Sequence, residues 1–406
     1  MNNLFPSLVA SAGLLVAVSA SALPDRVGDF ALLDTEGEFH QLSRNRHQEA
    51  LVLMAFDGSC AALDAELARL RQFAGQWAEN GVGVALINTA GADLATARAA
   101  LATRDIDAPL LLDKGQLVSE TLQLERVGEV VVLDPQRLTV LYRGALSGAD
   151  DVVQAELAGG VDTTTMAAGS GCTIDYPGRD AQLADVPDYT TEVAPILVEE
   201  CASCHREGGI GPFALDSHLM LQGWSPMIRE VLLTRRMPPM QVDPDIGHFD
   251  NANDLSAADM QTLVHWIDAG APRGAGATDP LAAVEHVDMK SWRLGEPDYI
   301  VKAPRHEVPA TGVLDYINVN VPLPFEEDTW VKAVQYIPGD GAVLHHLLTY
   351  VTEPAGTFEG GEADLRPRAQ RFLEGYAPGK VDPITFPAGT GVKIPAGHQL
   401  SMQFHY

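Results

Sequence analysis

The 406-residue chain predicts three domains in series: an α/β domain, a small all-α domain and an all-β antiparallel sandwich. Three observations predict this order. Strand and helix patterns alternate from about Pro24 to Gly160. Helical periodicity then surrounds Cys201-Ala202-Ser203-Cys204-His205, and ends near Gly270. From Trp292 onward, short strands follow one another between Pro and Gly turns. The expected boundaries are 23–160, 188–273 and 292–406, with linkers at 161–187 and 274–291. A chain of this length exceeds one ordinary domain.

The apolar run Leu8 to Val18, followed by Ala20-Ser21-Ala22, reads as a signal peptide over residues 1–22. Its first residues, Met1-Asn2-Asn3, carry no Lys or Arg, and an uncleaved anchor is the alternative. The run is short for a membrane span, and no later segment is long and apolar enough for one. The expected location is therefore periplasmic or secreted, with no membrane span after cleavage. The net charge of −28 repels phosphate and excludes nucleic acid as a partner. It fits small molecules, basic proteins or metal ions as partners.

Within the α/β domain, Leu51 to Phe56 is a continuous apolar run, as in a strand covered on both faces. Ala61 to Asn80 has Leu63, Leu67, Leu70, Phe73 and Trp77 at helical spacing. Val82 to Ile87 is strand, Asp93 to Thr103 helix and Pro109 to Leu112 strand. Val130 to Leu133 and Thr139 to Tyr142 form a hairpin about Asp134-Pro135, and Asp150 to Leu157 closes with a helix. This order, with a lone Cys60 after the first long strand, resembles the thioredoxin-like redoxin and peroxiredoxin-related domains. The catalytic parts of that resemblance are missing. Cys60 begins no C-x-x-C, the Pro and Thr expected before it are absent, and Val127-Gly128-Glu129 stands where the family has its cis-Pro. A structural or disulfide-bonded Cys60 is favoured over a catalytic one. Cys172, in the linker, is its candidate partner, although sequence cannot set their distance.

Cys201-x-x-Cys204-His205 is the attachment pattern of a c-type haem. The two sulfurs would form thioethers with the haem vinyl groups, and His205 would be the proximal iron ligand. A zinc site would need a second Cys/His pair at fixed spacing. Thr191 to Cys201 reads as a helix delivering the motif, and Ser225-Pro226 reads as the N-cap and first turn of a second helix ended by Pro238-Pro239. Ser256-x-x-Asp259 caps a third helix that Gly270 stops. Together these resemble a small cytochrome c domain. The resemblance implies Met237, in Met237-Pro238, as the sixth iron ligand. Met240 is second, and Met220, Met227, His218 and His248 are weaker candidates.

The last segment has strands at Tyr316 to Val321, Trp330 to Ile337, Leu344 to Val351 and Leu400 to Tyr406. Tandem His345-His346 on a regular strand would face opposite sides. They can meet one metal only at a strand end or bulge, which Pro338-Gly339-Asp340-Gly341 could supply. Val343-x-His345-His346, Gly375 to Gly379, Pro387-x-Gly389-x-Gly391 and Gln403-x-His405-Tyr406 resemble the first domain of the copper type II, ascorbate-dependent monooxygenases. The resemblance implies copper on His345, His346 and His405, and three imidazoles suit that metal. The family's second copper, on an H-x-H pair and a Met, has no counterpart, and the chain ends one residue after His405. A fragment of a longer protein is expected.

The favoured function is an exported redox protein in which haem c passes electrons to the three-His copper. Its partners would be an electron donor protein or small reductant, with an organic substrate and O2 if the chain continues beyond Tyr406 into a monooxygenase. One alternative is an electron-transfer cytochrome with docking domains. A second is a thiol peroxidase or disulfide reductase fused to a cytochrome.

Overall fold

The computed structural model describes residues 25–406 except 161–163, 168, 240, 244, 250–253, 277, 285–287, 289, 355, 358–370, 379 and 381. The expected signal segment 1–22 and the candidate ligand Met240 thus lie outside the described residues. Two compact units result. One runs to Val186 and resumes over Pro226–His265; the other holds Pro187–Ser225 and Trp266–Tyr406. Residues 188–273 fall partly in each. Among the described residues no helix is long and apolar enough to cross a membrane.

The first unit contains β1 (Asp25–Arg26), β2 (Ala31–Leu33), β3 (Phe39–Gln41), β4 (Ala50–Phe56), β5 (Val82–Asn88), β6 (Leu110–Leu112), β7 (Glu129–Asp134), β8 (Thr139–Ala145) and β9 (Thr165–Met166). Its main sheet has the order β1-β8-β7-β4-β5-β6, with β9 added to β8. β4, β5 and β6 are parallel; β7 is antiparallel to β4 and β8, β1 is antiparallel to β8, and β9 is parallel to β8. β4 lies mid-sheet and all seven of its residues are buried, which accounts for its unbroken apolar run. Helices α1 (Leu63–Trp77), α2 (Leu94–Ala102), α3 (Leu117–Thr121), α4 (Ala149–Gly159) and α5 (Pro177–Ala184) complete this chain segment. α1 buries Leu63, Leu67, Leu70 and Phe73, the stripe its spacing predicts.

The second unit begins with a π-helical turn over Tyr189–Val193 that continues into α6 (Ala194–Glu200), which leads into the Cys-x-x-Cys-His turn. Helices α7 (His218–Leu233) and α8 (Ala257–Asp268) each span the division between units. Ser225 is not the N-cap of α7, which starts seven residues before it and carries Pro226 inside. Pro226 has no N–H for the Gln222 carbonyl one turn back. The Ser225 hydroxyl donates to that carbonyl instead, at 2.8 Å, and so lets the helix run through. α7 ends at Leu233, before Pro238-Pro239, where Arg235 takes a left-handed φ of 54°. α8 has the expected cap: Ser256 Oγ accepts from the Asp259 N–H at 3.0 Å.

The remaining strands are β10 (Ile317–Pro322), β11 (Thr329–Val331), β12 (Ala333–Val334), β13 (His346–Thr352), β14 (Arg371–Tyr376), β15 (Ile384–Thr385), β16 (Val392–Ile394) and β17 (Gln399–His405). A four-stranded antiparallel sheet has the order β10-β17-β13-β14, and two-stranded ribbons pair β11 with β16 and β12 with β15. The single strand expected over Trp330 to Ile337 is therefore two, because its halves choose different partners. Leu347, Val351, Leu400, Met402 and Phe404 form one apolar core with Ile394, and Val331, Val334 and Val392 of the ribbons pack against it. By alternation His405 points away from that core.

Candidate redox and metal sites

His346 and His405 are direct partners in the β13–β17 ladder, so their side chains share a face. His345 lies just before β13 and is released from strand alternation. Its N–H donates to the His405 carbonyl at 2.9 Å, and Asp340 closes the preceding turn by accepting from the Ala342 N–H at 2.9 Å. All three Nδ1 atoms consequently converge. They lie 3.3 Å apart for His345–His405, 3.3 Å for His345–His346 and 3.4 Å for His346–His405. Among the described residues no other three His, Cys, Asp or Glu side chains bring their ligand atoms within 4.8 Å of one another.

Hydrogen bonds do not explain this triangle, because an imidazole nitrogen is a donor or an acceptor and cannot be both. A cation does. Edges of 3.3–3.4 Å place a common centre about 1.9 Å from each nitrogen, and tetrahedral metal–imidazole bonds of about 2.0 Å require the same spacing. Burial, then the neighbouring His405 and His345, hold His346 below the usual histidine range, so the lone pair that a metal needs is favoured. The Tyr316 ring stands 4.6 Å from the His405 ring.

Cys201, Cys204 and His205 continue the helical turn after α6. The His205 N–H donates to the Cys201 carbonyl at 2.9 Å, which puts the motif residues on one side. Both cysteines are free and half-buried. Burial, then Glu200 and Cys204, push the Cys201 thiol up to about 12. His205 Nδ1 is 3.1 Å from the Phe213 carbonyl, which can only accept, so Nδ1 carries the proton and Nε2 is free to ligate. A Cβ at Gly211 would lie 2.7 Å from His205 Nδ1 and one at Gly209 2.3 Å from the Cys204 carbonyl; only glycine permits this close wrap. Phe213 stacks on Trp224 with ring centroids 4.4 Å apart. Nearby in sequence, Ile210, Leu219 and Met220 are exposed apolar side chains, and Arg206 Nε is buried without a partner.

The candidate sixth ligands separate. His218 Nε2 is 2.9 Å from the Ala271 carbonyl and must donate there, which leaves only its Nδ1 with a lone pair. Met237 is 37 % exposed and belongs to the first unit, whereas His205 belongs to the second.

Cys60 and Cys172 form a disulfide with Cα atoms 5.9 Å apart. Cys60 is buried between β4 and α1; Cys172 is exposed. The Cys172 segment lies alongside the residues before β7. The Val127 N–H donates to the Cys172 carbonyl and the Ile174 N–H to the Glu125 carbonyl, both at 2.9 Å.

The AhpC/TSA family model matches residues 23–141. No curated protein matches the chain. Similar solved structures include a hypothetical protein from Sinorhizobium meliloti 1021, with 25 % identity over 38 % of this chain and 95 % of that one, at a TM-score of 0.33. Peroxidoxin BcpB from Mycobacterium tuberculosis shares 24 % identity over 34 % and 96 %, at 0.29. A thioredoxin-family thiol:disulfide interchange protein from Chlorobium tepidum TLS shares 18 % over 34 % and 99 %, at 0.28. The family match and the strand order make residues 23–141 a thioredoxin-like domain of AhpC/TSA type, followed by a separate β-sheet region.

Neither the Phe213 carbonyl that accepts from His205 nor Trp224, which stacks on Phe213, carried a signal in the sequence. Both are eight or more residues from the motif, and the tight Gly209 and Gly211 were the available hint.

Proposed function

We propose that this protein is an oxidoreductase with a copper site on His345, His346 and His405 and a c-type haem site on Cys201, Cys204 and His205. What carries the proposal is the triangle of Nδ1 atoms at metal-donor spacing. Copper and haem iron, when bound, each exchange single electrons. The chain's own part is to bring three imidazoles together at the end of the β13–β17 pair and to fix the His205 tautomer through Phe213. The exposed Ile210, Leu219 and Met220 suit an apolar group beside the motif; the Arg206 guanidinium there already pairs with Asp382. Met237 stays the proposed sixth ligand, from the Met-Pro setting alone. Action as a copper monooxygenase on an organic substrate with O2 belongs to this proposal too, should the chain continue.

Copper counted against chain separates the outcomes. One copper per chain is expected, lost in His345→Ala, His346→Ala and His405→Ala and kept in His398→Ala, which lies in the same domain. Metal-free protein from copper-replete cells, or equal loss in His398→Ala, would sink the copper site. Haem covalently retained after acid–acetone extraction, and lost in Cys201→Ala with Cys204→Ala, tests the other centre.

A second reading, thiol–disulfide oxidoreductase, is favoured by the AhpC/TSA match and by Cys60 standing in a disulfide with Cys172. The comparisons bear on the thioredoxin-like domain and lend this reading more than they lend haem-to-copper transfer. Unchanged peroxide and disulfide turnover in Cys60→Ser would dispose of it.

A further inference from the structure

We infer that thiol exchange at the thioredoxin-like domain enters through Cys172, with Cys60 as the leaving group, and that the 171–174 segment is a latch opened by that exchange. The inference deepens the thiol–disulfide reading and rests on it.

Access decides which sulfur is attacked. Cys60 is 4 % exposed, behind β4 and α1, whereas Cys172 sits on the exposed side of the bridge. An incoming thiolate therefore reaches Cys172 Sγ. The new bond forms between that sulfur and the thiol, the Cys60–Cys172 bond breaks, and its electron pair leaves on Cys60. The site is built to receive that charge. The Cys172 N–H points at Cys60 Sγ from 3.4 Å, and a hydrogen bond to a thiolate stabilises it. A second thiol then displaces Cys172 as thiolate. Two small thiols become one disulfide, and the protein disulfide becomes two thiols.

The segment carrying Cys172 is seated by one isolated antiparallel bridge, Arg126 to Thr173. The Val127 N–H donates to Cys172 O, the Ile174 N–H to Glu125 O, and Arg126 reaches the Gly171 carbonyl at 3.2 Å. The seat is tight: a Cβ at Gly171 would fall 1.7 Å from the Val127 carbonyl oxygen. With the disulfide gone, two backbone hydrogen bonds, the exposed Arg126 contacts to Gly171 and Thr173, and the buried Ile174 side chain remain to hold it. The polar contacts among these are modest when water competes. The edge at Glu125 and Val127, next to Cys60, is then uncovered.

The test uses oxidised full-length protein and reduced glutathione without oxygen, quenched by alkylation and read by peptide mapping, which separates these two cysteines from Cys201 and Cys204. The first glutathione adduct is expected on Cys172 with Cys60 alkylated. On full reduction, hydrogen exchange at the Val127 and Ile174 amides is expected to rise roughly tenfold or more, while β4 stays protected. Gly171→Ala, which leaves both cysteines in place, should form the adduct roughly tenfold faster. An adduct first on Cys60 overturns the assignment while keeping thiol chemistry. Unchanged protection after reduction overturns the latch. A disulfide that glutathione and a dithiol both leave intact in the native protein overturns the inference and the thiol reading together.

Discussion

Removing the Cys60–Cys172 bridge by Cys172→Ser should destabilise the first unit by several kcal/mol. The bridge closes a loop with a sequence separation of 112 residues. Chain entropy then gives about 16 cal/mol/K, or about 4.8 kcal/mol at 25 °C, as the ceiling for this loop. Real bridges deliver less, and about 2–4 kcal/mol is expected. Cys172 is the right residue to change because it is exposed, so serine there leaves no core defect. Cys60→Ser would also bury a hydroxyl among apolar neighbours and should cost about 1–3 kcal/mol more. The assay is urea unfolding followed by hydrogen exchange of the β4 amides, which report the first unit without the second. At about 2 kcal/mol per molar, the midpoint should fall by roughly 1–2 M. Reduced wild type should fall to the same value. Coincident midpoints for oxidised wild type and Cys172→Ser would refute the reasoning, since a bridge of this span cannot be energetically silent.

Other outcomes follow from single contacts. Ser225→Ala leaves the Gln222 carbonyl with neither its helical donor nor the hydroxyl, and should cost about 1 kcal/mol in thermal melts. In a Pro226→Ala background, where the N–H returns, the same change should cost clearly less. Asp113 is wholly buried and its carboxyl is raised to about 6, chiefly by burial and against the Ser119 hydrogen bonds. The native state therefore holds this proton more tightly than the unfolded chain, so stability should fall as pH rises from about 4 to 6. The full effect is of order 3 kcal/mol from a shift of 3.8 to about 6. Asp113→Asn should flatten that stretch of the stability profile, and an unchanged slope would assign it elsewhere. Trp224→Leu unpacks the Phe213 ring and should alter the absorption spectrum of the haem-loaded protein without releasing the haem; an unaltered spectrum would deny Phe213 and Trp224 a part in holding His205.

Elements set by short-range chemistry were legible along the chain. The apolar stretch of β4, the stripe of α1 and the Ser256 cap of α8 each follow from a few neighbouring side chains. Where a partner distant in sequence decided the outcome, the pattern misled. Pro226 reads as a helix start until Ser225 is seen serving the Gln222 carbonyl. Trp330 to Ile337 reads as one strand because nothing local says that its halves pair with β16 and β15.

The same divide runs through the sites. Residue types and spacing alone supplied Cys201, Cys204 and His205, since the chemistry sits within five consecutive positions. They also supplied His345, His346 and His405 as separate letters. Only the tertiary structure decided that the three imidazoles meet, because His345 sits outside β13 while the β13–β17 register sets His346 against His405. It likewise decided which sulfur of the Cys60–Cys172 pair faces solvent. Strand register and burial arise from contacts across 60 to 112 residues of chain, and no local pattern encodes them.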